Sequence, residues 1–201
     1  MDITWRRKIN QERYIVPAQA LIKLRKLGIE VALSDLDPKV KSLRTNTLKR
    51  ERELREACLF CYGLACRFEQ PMNAIPIEEQ DFDFVASWVV DGTRHLAPIQ
   101  IKELVPEHVN AKITLQEIVD SLLKYDASEE LTVAIHLNRA VPFNPGALIM
   151  PSLKLAGLWA FGATTPDQSR WLLYGNMLEE PSVSYFDYPT DGNWTLQHEI
   201  G

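Results

Sequence analysis

The stretch 81-DFDFVASWVVDGTRHLAPIQIKEL-104 decides the fold. Residues 81–90 alternate and are rich in β-formers, residues 95–104 alternate again, and Asp91-Gly92 lies between them. Such a pattern predicts a hairpin, because a two-residue turn needs positive φ at both positions and Asp-Gly adopts it at low cost. Alternate side chains on a strand share a face. Asp81, Asp83 and Val85 are therefore expected on one side, with Phe82, Phe84 and Ala86 on the other. On the second strand Ala97, Ile99 and Ile101 form the apolar set, while Gln100 and Lys102 share the opposite face. Aligning the polar faces brings a carboxylate (Asp83), an amide (Gln100) and an ammonium (Lys102) to one spot.

Working outward, Leu54, Ala57, Cys58, Cys61 and Leu64 recur at three- and four-residue steps, which predicts a helix from about 46 to 64 with KRERELRE on its polar side. ACRFE (65–69) is expected as a short strand. Downstream, 115–125 predicts an amphipathic helix and 131–139 a central strand. Residues 153–162 and 169–178 predict strands around a Pro-Asp turn, and 182–189 an edge strand. Upstream, 17–27 predicts a helix stopping at Gly28. Asp37-Pro38 reads as the start of another helix. The sum is an α/β (α+β) chain: an N-terminal helical extension over 1–45, then one core domain over 46–201 with a β-rich C-terminus.

Composition narrows the function. The chain has 201 residues, a formal charge of −5 and three cysteines. Cys58, Cys61 and Cys66 are an odd set without a second ligand pair at zinc spacing, so core thiols are expected. No apolar run reaches membrane-spanning length and no secretory leader is evident, so a soluble, cytoplasmic protein is expected. No Gly-x-Gly-x-x-Gly, P-loop or Gly-x-Ser-x-Gly occurs, which leaves nucleotide cofactors and serine hydrolysis unsupported. Charge is uneven: residues 1–56 hold 14 Lys+Arg against 8 Asp+Glu, and residues 57–201 hold 8 against 19. A basic arm on an acidic body suits a nucleic-acid partner.

The hairpin residues suit phosphodiester hydrolysis. Asp83 is a hard oxygen ligand for Mg²⁺ or Mn²⁺, Gln100 and the Ile101 carbonyl offer further oxygens, and Lys102 can orient water or stabilise developing charge. Asp83, Gln100-Ile101-Lys102 and the order helix–strand–strand–strand–helix–strand over about 46–140 resemble the PD-(D/E)XK superfamily, the fold of restriction endonucleases. That resemblance implies a restriction-endonuclease-like α-β-β-β-α-β core, with Asp83 and Gln100 as metal ligands and Lys102 as catalytic lysine. It also implies a metal-dependent endonuclease, with DNA as substrate. Phe82 stands where the motif name has proline. Gln100 replaces the usual Asp or Glu, although a transposon-end-cleaving subunit of the superfamily resembles the Gln-x-Lys form.

The superfamily often adds a glutamate from the first core helix. Glu51, Glu53 and Glu56 are candidates. On a helical wheel Glu53 lies nearest the apolar stripe and Glu56 points away, so Glu53 is chosen. Phosphate contacts are expected from Arg6, Arg7, Lys8, Lys23, Arg25, Lys26, Lys49 and Arg50. Double-strand cleavage would call for a homodimer or sequential nicks. The competing expectation is an inactive module of the same fold that binds nucleic acid or a protein. Among the remaining residues, His136 is expected as a hydrogen-bonded core histidine, and Trp159, Phe161, Trp171 and Tyr174 as core aromatics.

Overall fold

The hairpin forms. Strand β2 (Phe84–Val90) pairs antiparallel with β3 (Thr93–Leu104), with Val90 opposite Thr93 and Phe84 opposite Ile99. Asp91 and Gly92 sit at φ 50° and 73°, the double left-handed turn that Asp-Gly favours. The computed structural model describes residues 5–9, 13–33, 49–77, 79, 81–125, 128–139 and 142–190. Around the hairpin runs a seven-stranded mixed sheet in chain order: β1 (Met72–Ile75), β2, β3, β4 (Ser128–Leu137), β5 (Leu155–Ala163), β6 (Arg170–Gly175) and β7 (Ser182–Asp187). The pairings β3–β4 and β4–β5 are parallel and all others antiparallel. A parallel neighbour needs a crossover, which β3 and β4 obtain through helix α4 (Leu115–Asp120) and a 3-10 turn over Ser121–Tyr125.

Helices cover both faces. Helix α1 is Trp5–Lys8, α2 is Pro17–Leu33, and α3 is Lys49–Phe68. On α3, ten consecutive residues from Glu56 to Ala65 are buried. A helix buried on all sides must be sandwiched. The sheet residues Phe84, Ile99, Ala134, Phe161 and Trp171 share a core with α3, and so do Ala18 and Leu21 of α2. The other face packs Val85, Leu104, Val133, Ile135 and Leu158 beneath Ile118, Val119 and Leu122, joined by Trp5 and Ile9. Ile15 makes a two-way backbone bridge with Ala74. The described part of the first 45 residues thus contributes to both cores. The expected boundary at 45/46 and the Asp37-Pro38 helix start lie outside the described residues.

Several local expectations change. ACRFE is the last turn of α3, not a strand. Glu69 closes it at φ 51° while the Gln70 N–H donates to the Ala65 carbonyl at 3.1 Å, a Schellman-type end. Arg67 holds that turn down through the Ser182 and Gly175 carbonyls at 2.9 and 3.0 Å. Helix α2 runs past Gly28, since one glycine weakens a packed helix without ending it. The expected 115–125 helix starts at a Thr114–Glu117 capping box but tightens to 3-10 after Asp120. Phe82 packs on the α4 side with Val85, away from Phe84, because β2 begins only at Phe84 and 81–83 is not yet strand. Among the described residues, no helix is long and apolar enough to cross a membrane.

Candidate functional site

Strand β3 carries polar groups on both faces. Its even residues look toward α4, where Leu96 and Leu104 pack. Its odd residues look toward α3, where Ala97, Ile99 and Ile101 pack. On the α4 side, Asp83 lies opposite Gln100, one step before the Phe84–Ile99 pair, with its N–H on the Ile99 carbonyl at 2.9 Å. Asp83 Oδ2 accepts the Ile101 N–H at 2.6 Å and the Gln100 amide N–H. That amide also donates to the Ile101 carbonyl at 3.1 Å, and Gln100 Oε1 accepts from the Tyr125 hydroxyl at 3.3 Å. The Lys102 ammonium lies 5.5 Å from the Tyr125 ring centroid. Burial pulls its pKa below the ordinary lysine value and the Asp83 charge opposes that pull. Burial likewise pushes the Tyr125 phenol up. The three hairpin residues therefore converge, but Gln100 turns its amide nitrogen toward Asp83 and gives its oxygen to Tyr125.

A second cluster, which the sequence reading did not assemble, occupies the α3 side. Glu56 from α3, Glu103 from β3 and His136 from β4 bring their ligand atoms within 4.8 Å of one another. Glu56 and His136 are only 6% and 4% exposed, with His136 Nδ1 at 3.1 Å from Glu56 Oε1. Glu103 accepts from Asn138 Nδ2 at 2.7 Å. The His136 ring stacks on Phe161, centroids 4.9 Å apart and 10° from parallel. The expected hydrogen bond of a core histidine is present, to a carboxylate. The wheel reading of Glu56 is corrected. Ten consecutive buried residues make the buried arc wider than the stripe, and Glu56 faces the sheet, where it meets His136 of β4. Glu53 pairs instead with Lys49 at 3.2 Å, its side chain 43% exposed.

Between the start of α3 and the sheet lies a cavity of about 580 Å³. Its walls include the carboxylates Glu53, Glu56, Asp83 and Glu103 and the cations Lys49, Arg50 and Arg52. Arg52 Nε is buried with no hydrogen-bond partner among the described residues. Of the cations expected to meet phosphate, Lys49 and Arg50 reach this cavity. Arg6 pairs with Glu130 at 3.0 Å, and Arg25 stacks over Tyr188 at 4.8 Å. Lys23 and Lys26 are exposed on α2, and the side chains of Arg7 and Lys8 lie outside the described residues. Arg52 was missed because it looked like one more charge on a solvated face.

Cys58 and Cys61 behave as core thiols, and Cys66 is half-buried against the same core. Cys58 and Cys61 are buried, and burial pushes Cys58 up to about 12 and Cys61 well above its ordinary value. Trp159, Phe161 and Trp171 are core residues as expected, and Tyr174 is partly buried against the core of the α4 side. No protein-family model, curated protein or solved structure matches this chain.

Proposed function

We propose that the protein is a divalent-metal-dependent phosphodiester hydrolase acting on nucleic acid, DNA first, built on a restriction-endonuclease-like core. The order α3-β1-β2-β3-α4-β4, with antiparallel pairing as far as β3 and parallel pairing beyond it, supports the fold reading. One observation carries the function: a single cavity gathers Glu56, Asp83 and Glu103 beside Lys49, Arg50 and Arg52. Carboxylates alone would repel a polyanion, and cations alone would only bind it. Together they can hold a phosphate and present oxygen ligands to a cation such as Mg²⁺ or Mn²⁺.

The donor chemistry fits an ion. Glu56, Glu103 and Asp83 offer hard oxygens. When bound there, a divalent cation would polarise a phosphoryl oxygen and ease ionisation of a water. The chain's own groups do the rest. Arg50 and Arg52 present planar donor forks suited to phosphate oxygens. Asp83 is held in place by the Ile101 and Gln100 N–H groups. Lys102 acts through Asp83, its charge favouring the ionised carboxylate.

A plasmid-nicking assay with Mg²⁺ or Mn²⁺ tests this. Asp83→Asn and the pair Arg50→Ala/Arg52→Ala are each expected to lower cleavage by about 10²-fold or more, the scale of losing a group that stabilises a transition state. Cleavage unchanged in both variants would refute the proposed site. Salt-dependent DNA binding without cleavage would establish the inactive module, a reading that the amide-bonded state of Asp83 favours.

A further inference from the structure

We propose that Glu56, Glu103 and His136 form a site for one divalent transition-metal ion of the Mn²⁺ or Zn²⁺ class. As the metal seat of the hydrolase it rests on that reading. As an ion-binding site it is measurable without turnover.

Three features argue for it. The first is spacing. Ligands about 2.1 Å from a shared ion lie about 3 to 4.2 Å from one another. The Glu56–His136 separation of 3.1 Å already meets this, and the 4.8 Å limit on the cluster leaves only a small rotamer adjustment. The second is chemistry. Two carboxylates drawn together in a low-dielectric site repel unless a cation or proton stands between them. An imidazole in the set favours Mn²⁺, Zn²⁺ and their neighbours over Mg²⁺, which prefers oxygen and retained water.

The third is support. The ligands come from a helix and two adjacent strands, Asn138 steadies Glu103, and Phe161 fixes the imidazole plane. The cavity supplies an independent pointer to a ligand. Glu56 and Glu103 line it, so an ion held there faces open volume rather than a closed shell, in the same cavity that Arg50 and Arg52 line. Three protein ligands with an open side is the arrangement of a catalytic, not a structural, ion.

Titrating the chelator-stripped full chain with MnCl₂, ZnCl₂ and MgCl₂ by calorimetry, with Mn²⁺ resonance spectra alongside, tests the site. One Mn²⁺ or Zn²⁺ per chain is expected, with Mg²⁺ at least tenfold weaker. His136→Gln and Glu103→Gln are each expected to weaken Mn²⁺ binding at least tenfold, while Glu53→Gln does not. Glu103 is only half-buried, so its variant keeps the test valid if His136→Gln fails to fold. No saturable Mn²⁺ or Zn²⁺ binding would overturn the proposal. So would binding lost in Asp83→Asn but kept in both cluster variants. Binding that follows the cluster without any nicking would uphold the site and remove the hydrolase. Asp83-dependent nicking without binding at the cluster would do the reverse.

Discussion

The two faces of β3 solve opposite problems with similar residues. Toward α4, Gln100 is 8% exposed and its amide is tied to Asp83, Ile101 and Tyr125. Toward α3, three residues along, Glu103 joins Glu56 and His136 at the wall of a cavity. One face meets its buried polar groups mainly with neutral donors, which hold Asp83 at the cavity wall. The other gathers like charges around an imidazole and leaves room beside them. The contrast teaches that a polar residue on a strand is chemically informative only once the layer above it is known.

The largest expected effect asks whether the open volume is local. If the α3 face is dry beyond the cavity, Cys58 and Cys61 are shielded as thiols. With Cys58 near 12, its thiolate at pH 8 is rarer than that of an unfolded cysteine by about a thousandfold. Alkylation of native protein, read by mass spectrometry, should therefore modify Cys58 about that much more slowly than denatured protein, and Cys61 more slowly as well. Labelling at the unfolded rate would mean that water reaches along the helix.

Next comes a paired stability measurement. Asp83→Ala strands the Ile101 N–H and one Gln100 N–H, which should cost about 2–4 kcal/mol. Glu103→Gln keeps the shape and relieves like-charge repulsion, so its change should stay within about 1 kcal/mol. Urea unfolding of both variants decides. Equal losses would erase the distinction between a face held by neutral donors and one that gathers like charges.

These contrasts also mark what the sequence made legible. Asp-Gly and strict alternation fixed the hairpin, and the cross-strand meeting of Asp83 and Gln100 followed from register alone. The helix–strand order around it was readable for the same reason, as periodicity survives without knowledge of neighbours. Glu56 was not readable, because it turns toward the sheet, where its partner His136 lies 80 residues away in the chain. Glu103 and His136 were hidden differently. They stand 33 residues apart in the sequence, and only the parallel β3–β4 register places them side by side. The strand expected at 65–69 failed because Arg67's bonds to β6 and β7 prolong the helix, a contact no local pattern announces.

A smaller effect concerns how α3 is seated. An added Cβ on Gly63 would lie 2.7 Å from Phe186 Cε1, and Phe186 is itself buried edge-on to Tyr62. Gly63→Ala should overpack that end by about 1–3 kcal/mol, measured as a shifted urea midpoint. Because the cavity lies at the opposite end of α3, Mn²⁺ affinity of the folded variant should hold. A parallel loss of affinity would show that the cavity's shape depends on close packing at Gly63.

The smallest effect is the most diagnostic for the α4 face. Burial lowers the Lys102 pKa below the ordinary 10.5, against the attraction of Asp83. Between the folded and unfolded values the unfolded chain binds more protons. Lys102 therefore weakens the fold as pH falls from 10.5 through that window, and below the folded value the penalty is complete and constant. At neutral pH, Lys102→Met removes the penalty but forfeits a contact with Tyr125 worth about 0.5–1 kcal/mol. The net change should lie within about 1 kcal/mol of zero, and wild type should gain on the variant as pH approaches 10.5. A loss above about 2 kcal/mol at neutral pH would mean that ionic attraction to Asp83 outweighs desolvation. Both faces of β3 would then be organised by charge, and the distinction between them would lapse.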